Sequence, residues 1–112
     1  MKKAVLIAKQ HQASLEILVK SMDALARLFV RSKNYKQAIL VFTDLLSLNV
    51  DEAHCACILH DLSKSHLKLG NFPSALKSAQ SCVETAAKCG DKTWLVNGLI
   101  VKAQTLSKPF LT

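Results

Sequence analysis

Apolar residues recur every three or four positions along most of this chain, a spacing typical of amphipathic helices. The clearest series lies between residues 14 and 32, where the apolar positions include Ile17, Leu18, Met22, Leu25, Leu28 and Phe29. Alternation with a period of two, which marks half-buried β-strands, is absent. The pattern therefore predicts an all-α protein.

Polar and turn-forming residues interrupt this pattern at regular intervals. Ser14 and Asp51 are predicted helix N-caps, Gly70 is a predicted C-terminal cap, and Pro73 suits the first turn of a helix. These breaks divide the chain into six predicted helices in three antiparallel hairpins, over residues 3–10, 14–32, 35–48, 52–69, 72–88 and 92–107.

The chain also contains an internal repeat. Tyr35 and Phe72 each follow a turn, lie 37 residues apart, and precede a small residue by three positions, Ala38 and Ala75 respectively. A helix-turn-helix unit of about this length predicts a helical solenoid, an architecture that presents extended binding surfaces.

A second match links the two ends of the chain. The spacing of Leu18, Val19, Met22 and Ala26 recurs in Leu95, Val96, Leu99 and Ala103. Two independent matches support the interpretation that the chain is built from repeated helical units.

The repeated residues resemble the tetratricopeptide repeat family. In that family, small residues on paired helices allow close packing, and aromatic residues flank the turns. The matching positions are Leu25, Ala26, Phe29, Tyr35, Ala38 and Phe42 in one repeat, and Leu62, Ser63, Gly70, Phe72, Ala75 and Ala79 in the next. Lys33, His66 and Val50 depart from the pattern, because they replace a turn glycine, an aromatic residue and a terminal proline.

The resemblance implies antiparallel hairpins stacked as a right-handed tetratricopeptide-like solenoid. The expected organisation is one domain over residues 1–112, with repeats at about 14–50 and 52–89 and a partial repeat at each end. The open first and last helices suggest that this domain belongs to a longer array.

A narrower resemblance comes from residues 59–62, 69–71 and 90–97. They are similar to tetratricopeptide proteins of the outer-dynein-arm docking complex of cilia. That similarity implies a non-catalytic scaffold that helps to attach outer dynein arms to axonemal doublet microtubules. It also implies a place in the cytoplasm, cytoskeleton and cilium axoneme, and coiled-coil or armadillo-type docking subunits with acidic surfaces as partners.

The charge balance narrows the choice of partner. The chain carries 15 basic and 8 acidic residues, for a formal net charge of +7. The basic residues are dispersed rather than clustered, and aromatic residues make up only 5% of the chain. The chain therefore offers few aromatic side chains on which the bases of a nucleic acid could stack. Acidic protein surfaces are the preferred partners. The alternatives are a basic helical module associated with nucleic acid, or a general intracellular adaptor unrelated to cilia.

Neither a membrane nor a secretory location is expected. No stretch approaches the roughly 20 apolar residues of a membrane span, and the apolar run at residues 4–8 is too short for a signal peptide. The four cysteines are accordingly expected to be reduced thiols at small core positions.

The basic residues of the first helix in each hairpin form the candidate binding site. Lys20, Arg27 and Arg31 lie on one helical face, and Lys64 and Lys68 repeat that pattern in the next hairpin. The competing interpretation is an ordinary solvated face. Chaperone-binding members of the tetratricopeptide family bind a C-terminal carboxylate with Lys and Asn side chains at set positions in the groove. The resemblance places Asp23 and Asp61 at those positions, so chaperone binding is not expected.

No enzymatic activity, metal or cofactor is predicted. Residues 51–54, Asp-Glu-Ala-His, match a helicase motif. The sequence lacks the glycine-rich phosphate-binding loop that this motif requires. His54, Cys55, Cys57 and His60 have a metal-like spacing, but on a helix Cys55 and Cys57 point about 200° apart. A Cys–His nucleophile pair would also need an orienting third group and a pocket.

Overall fold

The computed structural model describes residues 2–48 and 51–107. In this part of the chain there are five helices, namely α1 (Lys2–Arg31), α2 (Tyr35–Ser47), α3 (Glu52–Lys68), α4 (Phe72–Cys89) and α5 (Lys92–Ser107). No described residue lies in a strand. The prediction of an all-α protein is therefore confirmed.

The prediction of two separate helices at the start of the chain is wrong. α1 runs without interruption through residues 11–13, and Ser14 lies inside it rather than at its N-cap. The physical reason is that no glycine or proline occurs anywhere in α1, so nothing in the sequence forces a break in the i to i−4 hydrogen bonds. The other helix ends agree with the predicted ones within about two residues, although the break predicted at residues 49–51 lies partly outside the described residues.

Three helices end in the same left-handed turn. Lys33, Gly70 and Gly90 have φ angles of 63°, 79° and 76°. The amide of the next residue donates to a carbonyl five positions back, from Asn34 to Phe29 over 2.7 Å and from Asn71 to His66 over 2.9 Å. This is the hydrogen-bond pattern of a Schellman cap. Lys33 thus adopts the backbone conformation that glycine adopts 37 residues later.

Two aspartates start helices. The carboxylate of Asp51 accepts a hydrogen bond of 2.7 Å from the amide of His54, as predicted for an N-cap. The carboxylate of Asp91 does the same for the amide of Trp94 over 3.1 Å at the start of α5. Each cap satisfies a backbone donor that has no partner within the helix.

Successive helices are antiparallel neighbours. At one end of the α3–α4 pair, Lys88 Nζ lies 3.6 Å from a Glu52 carboxylate oxygen. Near its other end, the Ser63 hydroxyl donates to the carbonyl of Ala75 over 2.8 Å. Each helix contacts the next, and α3 also contacts α5. The result is an elongated body of 62 × 31 × 18 Å.

Small residues lie where the helices cross. Ala26, Ala38, Ser63 and Ala75 are all fully buried. A side chain no larger than a methyl or hydroxymethyl group lets two helix backbones approach closely. Gly98 has the same role between α4 and α5, because a Cβ added there would lie 3.0 Å from Cys82 Sγ.

The other residues expected to pack the repeats fall into three groups. Phe42 and Leu62 are buried, whereas Phe29, Tyr35 and Phe72 are half-buried. Gly70 forms a turn and has no neighbour near its Cβ position. Leu25 is 43% exposed and does not belong to the buried cluster between α1 and α2.

His66 occupies the position that corresponds to Phe29. Its Nδ1 atom is buried and has no hydrogen-bond partner, and burial lowers the pKa of its imidazole below the usual value. The ring is therefore neutral at physiological pH and fills an aromatic position in the packing.

The crossing at Ala75 gives a direct test of the packing. We expect Ala75→Leu to destabilise the protein by about 1–3 kcal/mol, because the larger side chain must separate α3 from α4. Ala87→Leu, on the exposed face of the same helix, is the matched control and should be nearly neutral. Urea unfolding followed by circular dichroism measures both, and an unchanged midpoint for Ala75→Leu would contradict the assigned crossing.

The left-handed turns give a second test. We expect Lys33→Gly to stabilise the protein by about 1 kcal/mol, since glycine adopts a positive φ without steric cost. Gly70→Lys should destabilise by a similar amount, and only through the backbone, because a Cβ there has nothing within 4 Å. Thermal melting measures both, and Lys33→Ala controls for loss of the charge. We expect the melting temperature to rise in Lys33→Gly and to fall in Gly70→Lys. A shift of both melting temperatures in the same direction would contradict the turn geometry.

Candidate protein-binding groove

A groove of about 470 Å³ runs between the C-terminal parts of α1 and α3. The start of α2 contributes Tyr35 to its wall, and the start of α5 contributes Trp94. Four of the five helices therefore border this one concave surface.

Four cations line the groove. They are Arg27 and Arg31 from α1 and Lys64 and Lys68 from α3, and all four side chains are exposed. Each α3 lysine follows an α1 arginine by 37 residues, so the internal repeat itself brings the two pairs to equivalent positions. These are four of the five residues singled out in the sequence; Lys20 is exposed on α1 but does not line the groove.

The carboxylates nearby neutralise only part of this charge. Asp61 lines the groove, and Asp23 lies at 3.4 Å from the Arg27 guanidinium, one turn earlier on α1. The Arg27 side chain is 59% exposed, so this ion pair holds the arginine only weakly. Arg27 remains able to exchange Asp23 for a carboxylate of a ligand.

An aromatic contact shapes the α5 side of the groove. The rings of His60 and Trp94 lie 5.1 Å apart at an angle of 53°. His60 Nδ1 also lies 3.1 Å from a carboxylate oxygen of Asp61. This chain of contacts fixes Trp94 beside the charged groups, where its flat surface can contact an apolar side chain of a ligand.

The groove contains no activated nucleophile among its lining residues. Burial, together with the negative charges of Asp61 and Asp23, raises the pKa of Cys57 to about 11. At neutral pH this thiol is protonated, and a protonated thiol is a poor nucleophile. His54 Nε2 lies 3.9 Å from a carboxylate oxygen of Asp23.

The other cysteines have structural surroundings. Cys82 is fully buried, and its thiol contacts the carbonyl oxygen of Ala56 at 3.2 Å. Cys89 is exposed, so the expectation that it fills the core is wrong. Among the residues that the structure describes, no three His, Cys, Asp or Glu side chains are arranged to hold a metal ion.

Sequence reasoning missed Trp94 and Tyr35 as groove residues. Trp94 is the sole tryptophan of the chain, and aromatic residues are frequent anchors of binding sites. Its place beside α3 depends on the direct α3–α5 contact, which helical periodicity alone does not predict.

No family model, curated protein sequence or solved structure matches this chain. Within residues 2–107 as described, none of the helices combines the length and apolar character that crossing a membrane requires.

Proposed function

We propose that this protein is a non-catalytic scaffold that binds an acidic segment of another protein in the groove between α1 and α3. The observation that carries the proposal is the convergence of Arg27, Arg31, Lys64 and Lys68 on one concave surface. Two helices contribute one pair each, so a single ligand segment can contact both pairs.

The chemistry of the groove favours a carboxylate-rich protein segment. Exposed cations attract an acidic ligand at a distance and speed its association. Trp94 and Tyr35 add a surface for an apolar or aromatic side chain between the acidic ones. Asp61, which lies inside the groove, would repel a continuous phosphate backbone but can be avoided by a protein ligand with spaced charges.

We further propose that the five helices belong to a tetratricopeptide-like solenoid that acts in a ciliary docking complex. The 37-residue period and the small residues at the helix crossings support the solenoid. The ciliary role is supported by the likeness of residues 59–62, 69–71 and 90–97 to tetratricopeptide docking proteins. Coiled-coil or armadillo-type subunits with acidic surfaces would then be the partners, at the axoneme.

Charge reversal tests the groove. We expect Arg27→Glu combined with Lys64→Glu to weaken binding of a glutamate-rich helical peptide of about 20 residues at least tenfold, because both pairs of cations lose one member. Binding by the parent should weaken as salt rises. Isothermal titration calorimetry measures both effects.

The matched control is Lys36→Glu combined with Lys77→Glu. These lysines are exposed on α2 and α4 and do not line the groove, and the change in net charge is identical. We expect this variant to bind the peptide within about twofold of the parent. An equal loss of peptide affinity in both variants would show that binding depends on net charge rather than on the groove, and would contradict the proposal. Tighter binding to duplex DNA than to the peptide, with a steep salt slope, would favour the nucleic-acid alternative.

A further inference from the structure

Two histidines lie against the carboxylates that offset the positive charge of the groove. His60 Nδ1 lies 3.1 Å from a carboxylate oxygen of Asp61. His54 Nε2 lies 3.9 Å from Oδ2 of Asp23. Asp61 lines the groove, and Asp23 forms an ion pair with the groove residue Arg27. Both carboxylates therefore have an imidazole beside them.

His54 and Arg27 meet at the same oxygen atom. Oδ2 of Asp23 lies 3.4 Å from the Arg27 guanidinium and 3.9 Å from His54 Nε2. While the imidazole is neutral, the carboxylate charge acts mainly on the guanidinium. A protonated imidazole would share that charge, and the exposed guanidinium would be more available to a carboxylate of a ligand. His54 thus acts on Arg27 through Asp23.

His60 acts on Asp61 directly. In its neutral form the imidazole can donate its Nδ1 hydrogen to the carboxylate, which keeps its negative charge in the groove. A second proton, on Nε2, makes the ring a cation and offsets that charge. Protonation of His60 therefore lowers the repulsion between Asp61 and an acidic ligand.

Both histidine–carboxylate pairs are largely shielded from solvent. The side chains of His60 and Asp61 are 14% and 30% exposed. Those of His54 and Asp23 are 29% and 20% exposed. Because salt screens partly buried charges less than fully exposed ones, a change of charge at these pairs acts on the groove at ordinary ionic strength.

The other charged groups around His54 leave its contact with Asp23 in place. Asp51 directs its carboxylate to the backbone amide of His54 rather than to the ring. Glu52, at the start of the same helix, lies 3.6 Å from Lys88 of α4. The charge of the imidazole is therefore available to Asp23.

Charges of both signs lie around His60. Lys64 follows it by one turn on α3. Asp91, at the start of α5, accepts a hydrogen bond from the backbone amide of Trp94, whose ring contacts His60. Asp61 is the carboxylate that lies directly beside the imidazole, so it is the charge that protonation of His60 offsets.

We propose that the groove binds its acidic ligand more tightly in mildly acidic solution than at neutral pH, because His54 and His60 gain protons that offset Asp23 and Asp61. This regulation rests on the proposed function of the groove. Histidine side chains ordinarily change charge between pH 5 and 8, whereas carboxylates stay ionised through most of that range. Proton binding and ligand binding then favour each other, as linkage requires.

Titration calorimetry with the same glutamate-rich peptide, at about pH 7.5 and about pH 5.5, tests the regulation. We expect the parent to bind about fivefold more tightly at the lower pH in about 0.1 M salt. Near the midpoint of this range, complex formation should take up protons. The measured enthalpy should then depend on the ionisation enthalpy of the buffer.

Two double variants assign the effect to these pairs. His54→Gln combined with His60→Gln should lose the gain at low pH, while any effect of protons on the peptide itself remains. Asp23→Asn combined with Asp61→Asn keeps the imidazole ring that contacts Trp94. At the higher pH this variant should bind about fivefold more tightly than the parent, because the opposing charges are already absent.

The matched control for net charge is Asp44→Asn combined with Glu84→Gln. These two carboxylates are exposed on α2 and α4 and do not line the groove. We expect this variant to bind within about twofold of the parent at the higher pH, and to keep the gain at the lower pH.

Three results would overturn the proposed regulation and leave the groove itself standing. One is equal affinity of the parent at the two pH values. Another is an undiminished gain in the His54→Gln and His60→Gln variant. The third is an equal rise in affinity in the two carboxylate variants at the higher pH, since net charge would then explain it. Absence of peptide binding at both pH values would instead contradict the proposed function, and the regulation with it.

Discussion

The close approach of neighbouring helices at small residues is the constraint on which the rest of this structure depends. Four small residues at the crossings are inaccessible to solvent, namely Ala26, Ala38, Ser63 and Ala75. The hydroxyl of Ser63 is close enough to the next helix to donate a hydrogen bond to a backbone carbonyl there. Larger side chains at these points would push the helices apart and change their angles. The positions of the turns, the half-buried aromatic residues and the groove all follow from these crossings.

The groove is a product of the same repetition. Because Arg27 and Lys64, and likewise Arg31 and Lys68, are separated by one period of 37 residues, packing α1 and α3 on either side of α2 brings equivalent charges together. The four like charges border one groove, and none of them belongs to the buried clusters that hold the helices together. The convergence of these exposed charges is what supports the proposed binding of an acidic protein segment.

Much of this arrangement could be predicted from local sequence signals. The helix ends marked by Asp51, Gly70 and Pro73 were identifiable because each residue has a specific backbone preference. The buried small residues were identifiable because they recur with the period. The continuity of α1 was missed because polar residues at positions 9–12 weaken the apolar pattern without breaking a helix. The exposure of Leu25 and the place of Trp94 depend on which helices are neighbours in space, and an apolar residue at helical spacing does not specify its neighbour.

The fluorescence of Trp94 tests the central claim, that the groove holds an acidic ligand, most directly. Trp94 is the chain's single tryptophan and lines the groove, so the tryptophan emission comes from this one position. Titration with the glutamate-rich helical peptide should produce a saturable blue shift that high salt reverses, because the ligand removes water from the indole ring. Binding detected by another method without any change in Trp94 emission would contradict the account.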